Sequence, residues 1–396
     1  MDKSIIYLDN NATTRVAPEV FEAMQPYFCE QYGNPSSIHR FGGSVSSAIE
    51  KARIQVAELL GADFRDRDGF APEIIFTSCG TEGDNTAINA ALCVNSGRKK
   101  IVTTAVEHPA VLHCCEEWAH RGYTVVQIPV DSCGRLDMEI LKQEVDENTA
   151  LVSVMWGNNE TGTIFPVAEI AEIAHAKGAL FHTDAVQAAG KVKIDVKAVQ
   201  ADFIAISGHK LHAPKGVGAL YVRRGIMFTP FIFGGHQERS RRGGTENVAS
   251  IVGLGKACEM AAQRLDEEYT SLKKMRDYFE SKVSASIPSV RINGDLENRL
   301  PGTSSISFDG IEGESILMML DVFGICASSG SACTTGSLEP SHVLRAMGIP
   351  YSSAHGTIRF SLSHYNTIEE LDFVAEKLPP IIARLREISP FWNGDK

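Results

Sequence analysis

The stretch ADFIAISGHKLHAPKGVG, residues 201–218, carries the pattern that decides the fold of this chain. Its apolar run at 203–206 is bounded by small and polar residues, which is typical of a strand buried on both faces of a sheet. Lys210 follows directly after the turn at 207–208. Ligands bind at the carboxyl ends of the strands in open α/β sheets. The pattern therefore predicts a lysine amine at a ligand-binding edge.

The neighbouring sequence predicts the rest of that sheet. Short apolar segments alternate with helical patterns from Glu73 to Arg223, and the segments are EIIFTS, KIVTTA, TVVQIPV, ALVSVMW, ALFHTDA, DFIAIS and GALYVRR. This alternation indicates an α/β fold with a large, mainly parallel sheet and helices on its faces. Gly178 follows one of the helical patterns, where a left-handed residue would end the helix.

A second, smaller domain is expected after this sheet, because 396 residues are too many for one ordinary domain. A helical pattern runs without interruption from Asn247 to Ala285, as two helices or as one that supports both domains. We place the boundary near residue 260. Beyond it the segments SSISF, ICASS and TIRFSLS predict strands, and 314–321 and 341–347 predict helices. The second domain is therefore expected to be α+β.

Composition limits the class of protein. A hydrophobic fraction of 43% and a charged fraction of 22% are typical of a globular chain, and the net charge of −11 argues against nucleic acid as the main partner. Nine scattered cysteines without a C-x-x-C pair indicate neither a disulfide framework nor a zinc site. The apolar run at 5–8 is too short for a signal peptide, and none is long enough to span a membrane. We expect a cytoplasmic protein.

Two segments near the expected edge suit a carbonyl-bearing, phosphorylated ligand. Partial desolvation would make Lys210 an amine nucleophile able to form a Schiff base, although an ordinary surface lysine would give the same pattern. The strand at 74–77 enters a glycine turn, and Thr81 with Asp84 predicts a capping box for the next helix. The free N–H groups of that helix start and the Thr81 hydroxyl would form an anion site, or only a helix cap.

Other polar residues follow strands at the same edge. Asp184 ends one strand, with Gln187 one helical turn later, and either a cationic ring nitrogen or a plain helix cap would account for the carboxylate. His108 precedes a proline and suits either a ring stack with acid–base work or an ordinary loop. Asn159 lies in an asparagine-rich turn. Arg359 alternates with apolar residues on a strand and would bind a carboxylate or form a cross-strand ion pair.

Cys333 lies in the least ordinary segment of the chain. Residues 327–337 read ASSGSACTTGS and contain no large side chain that would anchor them in a core. We therefore expect a mobile loop that carries an exposed thiol. Such a thiol is either incidental or a reactive nucleophile, and no neighbouring base explains how it would be activated.

Ten motifs together make this chain similar to a known family. They are YLDNNATT at 7–14, GNPSS at 33–37, TSCGTE at 77–82, EHPAV at 107–111, NNETG at 158–162, HTDAVQ at 182–187, SGHKLHAPKG at 207–216, GGTEN at 243–247, SSGSACTTGSLEPSHV at 328–343 and IRFSLS at 358–363. The chain resembles the pyridoxal-phosphate-dependent cysteine desulfurases of the nitrogen-fixation type, a class V branch of the aminotransferase-like fold type I enzymes. The resemblance runs from about Tyr7 to Trp392.

The resemblance implies a role for each candidate residue. Lys210 would hold pyridoxal 5'-phosphate covalently, and Lys210 and His108 would move protons. Of the other cofactor contacts, His108 would stack on the ring, Asp184 would pair with the pyridine nitrogen, and Gln187 would pair with the ring hydroxyl. Gly80 would also contact the cofactor, and its phosphate would be bound by Thr81, Ser207 and His209. Thr245 would reach the phosphate of the neighbouring subunit. Asn159 and Arg359 would hold the substrate carboxylate. Cys333 would accept the sulfur of L-cysteine as a persulfide and so release L-alanine.

The resemblance also implies domains and partners. The large domain would span 15–260, and the small domain would combine 1–14 with 261–396. The chain would form a homodimer and pass sulfur to an iron-sulfur scaffold protein, without a metal, nucleic acid or membrane. An aminotransferase, a selenocysteine lyase and a non-catalytic iron-sulfur scaffold stay open as alternatives, as does supply to nitrogenase or to general cluster assembly. The basic residues Arg239, Arg241 and Arg242 would suit an acidic acceptor or a charged loop near the phosphate.

Overall fold

In a computed structural model of the chain, the described residues are 5–63, 73–329, 340–392 and 394. The strands are β1 (Ile6–Tyr7), β2 (Ile74–Thr77), β3 (Lys100–Thr104), β4 (Thr124–Ile128), β5 (Thr149–Ser153), β6 (Leu180–Asp184), β7 (Phe203–Ser207), β8 (Gly218–Val222), β9 (Val290–Asn293), β10 (Thr303–Phe308), β11 (Ile325–Cys326), β12 (Ser328–Ser329) and β13 (Thr357–Ser361).

The helices alternate with these strands through most of the chain. They are α1 (Pro18–Met24), α2 (Pro26–Cys29), α3 (Arg40–Leu60), α4 (Gly80–Val94), α5 (Pro109–His120), α6 (Met138–Glu144), α7 (Val167–Ala176), α8 (Val196–Val199), α9 (Gln237–Ser240), α10 (Val248–Ser286), α11 (Gly313–Asp321), α12 (His342–Ala346), α13 (Tyr351–His355) and α14 (Ile368–Ile388). A single 3-10 turn, Gly208–Lys210, follows β7.

The central sheet has seven strands in the order β2-β8-β7-β6-β5-β3-β4. The pairs from β7 through β6, β5 and β3 to β4 are parallel, whereas β8 runs antiparallel to both β2 and β7. All seven strands that the sequence predicts are present, and the expectation of a mainly parallel sheet is confirmed. The carboxyl ends of β2, β3, β5, β6 and β7 consequently lie along one edge.

Strand β7 illustrates why the sheet is buried on both faces. Ile204 and Ile206 pack into the core that lies on one face, whereas Phe203 and Ala205 pack into the core on the other. Successive side chains of a strand point to opposite faces, so an uninterrupted apolar run fills both cores. Helix α4 approaches so closely that a Cβ on Gly83 would lie 3.1 Å from the Cβ of Ala205.

The second core surrounds an antiparallel sheet of four strands in the order β12-β13-β10-β9. The predicted strands at 304–308 and 357–363 are confirmed, and the predicted strand ICASS divides into β11 and β12. The sequence patterns used above missed β9, α13 and α14. The long pattern after Asn247 is one continuous helix of 39 residues, α10.

Helix α10 passes from the first core to the second. Its residues as far as Cys258 pack with the large sheet, and its residues from Leu272 onward pack with the small one. The amino-terminal segment also contacts the second core, because β1 pairs with β11 and Leu8 is buried there. The domain limits 15–260, 1–14 and 261–396 stay a prediction, and these contacts agree with them.

Among the described helices, none is both long enough and apolar enough to cross a lipid bilayer. All eight cysteines of the described ranges are free thiols.

Candidate active site

A cleft of about 370 Å³ lies at the carboxyl ends of the parallel strands, between them and the amino-terminal segment. It brings together residues from β6, β7, β13, the start of α4 and the loops after β3 and β5. The residues that line it are Asn11, Ala12, Cys79, Gly80, Thr81, Asp84, His108, Met155, Gly157, Asn159, Asp184, Val186, Gln187, Ser207, His209, Lys210 and Arg359. Every predicted cofactor or substrate residue except Thr245 and Cys333 is in this set.

Lys210 ends the 3-10 turn that follows β7, and its amine lies inside the cleft. Its Nζ donates to the carbonyl oxygens of Asn11 at 2.5 Å and Ala12 at 2.7 Å. Burial lowers the pKa of Lys210 to about 8, and the positive charge of Arg359 adds to that shift. The amine is therefore partly desolvated and has a lowered pKa, as the Schiff-base prediction requires.

Asp184 occupies the last position of β6 and is 7% exposed. Its Oδ1 accepts a hydrogen bond from the backbone N–H of Val186 at 2.8 Å, and within the described part of the chain its Oδ2 has no hydrogen-bond partner. Burial raises the pKa of Asp184 to about 7, and the nearby carboxyl of Asp84 contributes to the shift. A cation beside the open oxygen would restore the carboxylate form.

The start of α4 and the end of β7 form the opposite, donor-rich end of the cleft. Among the described residues, the buried Ser207 Oγ has no hydrogen-bond partner, and no acceptor pairs with the backbone N–H of Gly80 or Thr81. His209 also lines this end, and its Nδ1 lies 3.2 Å from Thr13 Oγ1. Unpaired donors at a helix start bind anions, so this end suits a phosphate group.

The predicted capping box at this helix is wrong. The N-cap residue is Cys79, whose Sγ accepts from the backbone N–H of Glu82 at 3.4 Å, and the Glu82 carboxylate accepts from the N–H of Ser78 at 2.8 Å. Thr81 lies inside the first turn, so its hydroxyl is not used as a cap. Asp84 points into the protein and is 1% exposed.

His108 is the N-cap of α5, and this role fixes its tautomer. Its Nδ1 accepts the backbone N–H of Ala110 at 3.1 Å, and because a backbone N–H can only donate, the ring proton lies on Nε2. Burial lowers the pKa of His108, and the positive charge of Lys210 adds to that effect while Asp184 opposes it. The ring is therefore neutral and has one proton to exchange, on Nε2.

Arg359 and Asn159 meet at the mouth of the cleft, as expected. The Arg359 guanidinium donates from Nη1 to the backbone oxygen of Asn159 at 3.1 Å and from Nη2 to Asp9 Oδ1 at 3.0 Å. Its buried Nε has no partner in the part of the chain that the structure describes. Its ion pair is with Asp9, whose backbone bridges to Ser361 of the same strand, so the cross-strand ion pair that the sequence also allowed is present. The guanidinium therefore retains an unsatisfied donor for a carboxylate.

Thr245 and Cys333 are the two predicted residues that this cleft does not contain. Thr245 lines a separate cavity of about 220 Å³, with Ser78 and Arg242. Its predicted place in the neighbouring subunit stays a prediction. Cys333 lies outside the described residues.

The described residues on either side of the Cys333 segment lie close to the cleft. On one side Ser328 is paired with Arg359 in the small sheet. On the other side Ser341 Oγ donates to Glu160 Oε2 at 2.5 Å, and His342 Nε2 lies 2.9 Å from the backbone oxygen of Glu107. Both ends of the segment are therefore anchored beside cleft residues.

Three buried ionisable groups in and behind the cleft were given no role in it by the sequence reasoning, which assigned Asp84 only to a helix cap. Burial raises the pKa of Asp84 and of Glu107 to about 8 and lowers that of His182 to about 4. His182 Nε2 lies 3.4 Å from Asp84 Oδ1, and Glu107 Oε1 accepts from Met155 N and Thr104 Oγ1. Alternation along β6 places His182 and Asp184 on one face, which is the only sequence signal that linked any of them to the site.

The two histidines that could suggest a metal site have separate partners. His209 faces Thr13, whereas His212 Nδ1 lies 3.0 Å from the backbone oxygen of Arg15. Within the described ranges, no group of three or more His, Cys, Asp or Glu residues is arranged as a metal site.

The residues of the cleft fit pyridoxal 5'-phosphate, the group expected from the sequence. An amine with a lowered pKa, a carboxyl with one open oxygen and an orphaned hydroxyl beside free N–H groups match its aldehyde, its ring nitrogen and its phosphate, respectively. A phosphate and a cationic ring would supply the partners that these buried groups lack.

Comparison with known proteins indicates the same family that the sequence motifs resemble. The family model Aminotransferase class-V matches residues 6–374. The chain is 56% identical to "Cysteine desulfurase NifS" of Azotobacter vinelandii. The aligned 390 residues cover 98% of this chain and 96% of that protein. A solved structure of a "NIFS-LIKE PROTEIN" superposes with a TM-score of 0.89 at 39% identity, over 96% of this chain and 100% of that one. The structure "SspA in complex with cysteine" superposes with a TM-score of 0.79 at 32% identity, over 91% of this chain and 100% of that one.

Proposed function

The chain belongs to the class-V aminotransferase family, and we propose that it is a pyridoxal-phosphate-dependent cysteine desulfurase that supplies sulfur for iron-sulfur cluster assembly. The observation that carries this proposal is the convergence, in one cleft, of the Lys210 amine, the open oxygen of Asp184 and the donor-rich start of α4. These groups come from the turn after β7, from β6 and from α4, and a ligand with matching chemistry would give the open oxygen and the free N–H groups a partner.

When bound, pyridoxal 5'-phosphate supplies an electron-withdrawing ring that stabilises negative charge at the α-carbon of an amino acid. Lys210 would attach it, Asp184 would hold the ring nitrogen protonated, and Gln187 would pair with the ring hydroxyl. Ser207, Thr81, Gly80 and His209 would hold the phosphate, and His108 would stack on the ring.

Lys210 and His108 hold and move the protons of the reaction. At a pKa of about 8, roughly a tenth of the Lys210 amine is unprotonated at pH 7, compared with about a thousandth or less for an ordinary lysine. His108 carries its single exchangeable proton on Nε2 because Ala110 occupies Nδ1. Proton transfer by positioned groups of this kind accelerates reactions by about 10²–10⁴-fold.

Arg359 and Asn159 would bind the carboxylate of L-cysteine. The guanidinium has an unused buried Nε–H and a second donor that Asp9 now occupies. A substrate carboxylate that displaced Asp9 would gain two parallel hydrogen bonds, which orients the α-carbon toward Lys210.

Cys333 would receive the sulfur. Its thiolate attacks the sulfur of L-cysteine, the carbon–sulfur bond breaks with its electron pair going to carbon, and that carbon is then protonated. The balance is one L-cysteine and one thiol converted to one L-alanine and one persulfide, without an external oxidant or reductant. Cys333 lies four positions after Ser329, and an extended chain of that length reaches up to about 14 Å. The anchored flanks support this assignment.

The proposal also covers the oligomeric state of the protein, its sulfur acceptor and its cellular compartment. A homodimer would allow Thr245 of one subunit to reach the phosphate of the other, and its position outside its own cleft supports this arrangement. An iron-sulfur scaffold protein would take the persulfide sulfur. A cytoplasmic location is supported by the eight free thiols, which are typical of reducing compartments.

Two single substitutions test the proposal. The purified protein should be yellow, and Lys210→Ala should abolish the visible absorption band of the bound cofactor. Cys333→Ala should keep that band but stop the formation of L-alanine from L-cysteine. If Cys333→Ala formed alanine at the rate of the unmodified protein, sulfur transfer to this thiol would be wrong. A brown protein that contained iron and no pyridoxal phosphate would favour a scaffold instead.

A further inference from the structure

Lys191 lies beneath the cleft in an arrangement that the proposed reaction does not explain. It follows Gln187 by four residues, and its partly buried side chain donates from Nζ to Gln187 Oε1 at 2.8 Å and to Asn11 Oδ1 at 3.1 Å. Both acceptors are uncharged amide oxygens. Among the described residues no carboxylate forms an ion pair with this ammonium group.

The orientation of both amide groups follows from their other partners. Gln187 Nε2 donates to the backbone oxygen of Asn11 at 2.9 Å, and Asn11 Nδ2 donates to the backbone oxygen of Asn159 at 3.1 Å. A backbone oxygen can only accept, so each amide nitrogen must face its carbonyl. Both amide oxygens consequently face Lys191, which satisfies them together.

The same contacts connect Lys191 to the amine of Lys210. The backbone oxygen of Asn11 accepts from Gln187 Nε2 and also from Lys210 Nζ. Asn11 is held in turn by the small sheet, because its N–H donates to Ser361 Oγ and its Nδ2 to Thr303 Oγ1, both at 2.9 Å. A change at Lys191 would therefore alter the orientation of Gln187 before it altered the fold around Asn11.

The electrostatic surroundings of Lys191 are unfavourable for a structural lysine. Burial lowers its pKa to about 7, and the neighbouring cations Lys210 and Arg359 contribute to that shift. A lysine kept among cations without a carboxylate costs stability, which is the usual pattern at functional sites. The favourable contribution of Lys191 is its pair of hydrogen bonds to the amide oxygens of Gln187 and Asn11.

We propose that Lys191 is a positioning residue that fixes the Gln187 amide so that its Nε2–H, and not its oxygen, faces the ring hydroxyl oxygen of bound pyridoxal phosphate. This inference rests on the proposed function. With Oε1 held by Lys191, the amide cannot rotate to present its oxygen, which would repel the oxygen of the cofactor. Nε2 donates its first hydrogen to Asn11 and carries a second one, which has no acceptor among the described residues.

The test measures binding of two ligands to the cofactor-free protein. The ligands are pyridoxal 5'-phosphate and its analogue without the 3-hydroxyl group, and the variants are Lys191→Met and the exposed control Lys193→Met. In Lys191→Met the affinity for pyridoxal phosphate should fall about tenfold, the usual effect of losing one well-oriented hydrogen bond. The affinity for the 3-deoxy analogue should change less than twofold. Lys193→Met should match the unmodified protein with both ligands.

Two further variants keep the result interpretable. Lys191→Gln retains one donor and should recover part of the discrimination between the ligands, which also covers the case in which Lys191→Met does not fold. In a Gln187→Met background, Lys191→Met should have no further effect on discrimination. Equal weakening of both ligands, or additive effects in the double variant, would overturn the positioning role. If the unmodified protein bound neither ligand, the proposed function itself would fail.

Discussion

Buried charges are handled in opposite ways in two regions of this protein. Away from the cleft they are matched, because Arg53 contacts Glu238 at 2.6 and 3.0 Å and Arg299 contacts Glu280 at 2.8 and 2.6 Å, each through two nitrogen–oxygen hydrogen bonds. At the cleft, the only ionisable nitrogen that the described residues place within ion-pair distance of the buried Asp84 is that of His182, whose lowered pKa keeps it neutral.

The difference separates structural from functional charge. A paired buried ion keeps its charge and fixes two elements together, whereas an unpaired one shifts its pKa toward neutrality. Asp84, Glu107 and Asp184 all have raised pKa values, and Lys191 and Lys210 have lowered ones. The cleft therefore contains groups near their point of proton exchange, which catalysis of proton transfer requires.

The largest expected effect is on activity, from His108→Asn. Asparagine is a good N-cap and preserves the start of α5, but it lacks the exchangeable Nε2 proton. Alanine formation should fall about 10²–10⁴-fold, with the thermal midpoint nearly unchanged. Steady-state kinetics and thermal unfolding measure the two quantities. Activity within threefold of the unmodified protein would remove His108 from the proton path and weaken the contrast between the regions.

The next effect is on stability, from breaking a matched pair. Arg53→Met leaves the buried Glu238 carboxylate without its cation, and removing one partner of such a pair typically costs about 3–5 kcal/mol. Urea unfolding of the cofactor-free protein should give this loss, while the affinity for pyridoxal phosphate stays the same. The control is Lys197→Met, which breaks an exposed pair with Asp63 and should have little effect. A loss no larger than that of the control would contradict the structural assignment.

The unpaired carboxyl of Asp84 should have an effect that is smaller per pH unit, on the pH dependence of the free energy of unfolding. Because the pKa of Asp84 rises from about 3.9 in an unfolded chain to about 8 when folded, the folded protein keeps a proton that the unfolded chain releases. The group's stabilising contribution is complete below about pH 4 and is lost as the pH rises to about 8. Asp84→Asn should make the slope of unfolding free energy against pH less negative in that range, by roughly 1.4 kcal/mol per pH unit.

Urea unfolding of the cofactor-free protein at a series of pH values measures that slope. Asp266→Asn, on the exposed side of α10, controls for the loss of one carboxyl group. An unchanged slope in Asp84→Asn would mean that Asp84 is ionised in the folded protein and has a cation that compensates it.

The smallest effect comes from a satisfied polar contact far from the cleft. Thr367 accepts the N–H of Glu370 in the capping box of α14. Thr367→Ala should lower the free energy of unfolding by about 1 kcal/mol, and Thr367→Ser should restore most of it, without a change in alanine formation. A large loss of activity in Thr367→Ala would show that polar contacts outside the cleft also control function.

Much of the fold and most of the cleft followed from local patterns. The seven strands of the large sheet were predictable because each is a short apolar run, and Lys210 and Asp184 were predictable because each follows such a run at a carboxyl end. The small domain was harder. β9 has only four residues, of which Arg291 is exposed, and ICASS divides into two strands of two residues each, so neither segment is long enough for its pattern to indicate its pairing.

The errors have a common physical origin. The Thr81–Asp84 pair has the spacing of a capping box, yet Cys79 caps the helix because the turn begins two residues earlier. The sequence did not indicate the shifted charges of Glu107, His182 and Lys191, since these depend on which groups surround each side chain in the fold. Asn11 joins Gln187, Lys191 and Lys210 although nearly two hundred positions separate it from them.

The sequence by itself determined the alternation of strands and helices, the edge at which the polar residues gather and the family to which the motifs belong. These depend on hydrophobic periodicity and on residues near one another in the chain. Only the tertiary structure decided which buried groups are paired and which are left near their point of proton exchange. That depends on desolvation and on distances between strands remote in sequence, as in the contact of the Lys210 amine with the amino-terminal segment.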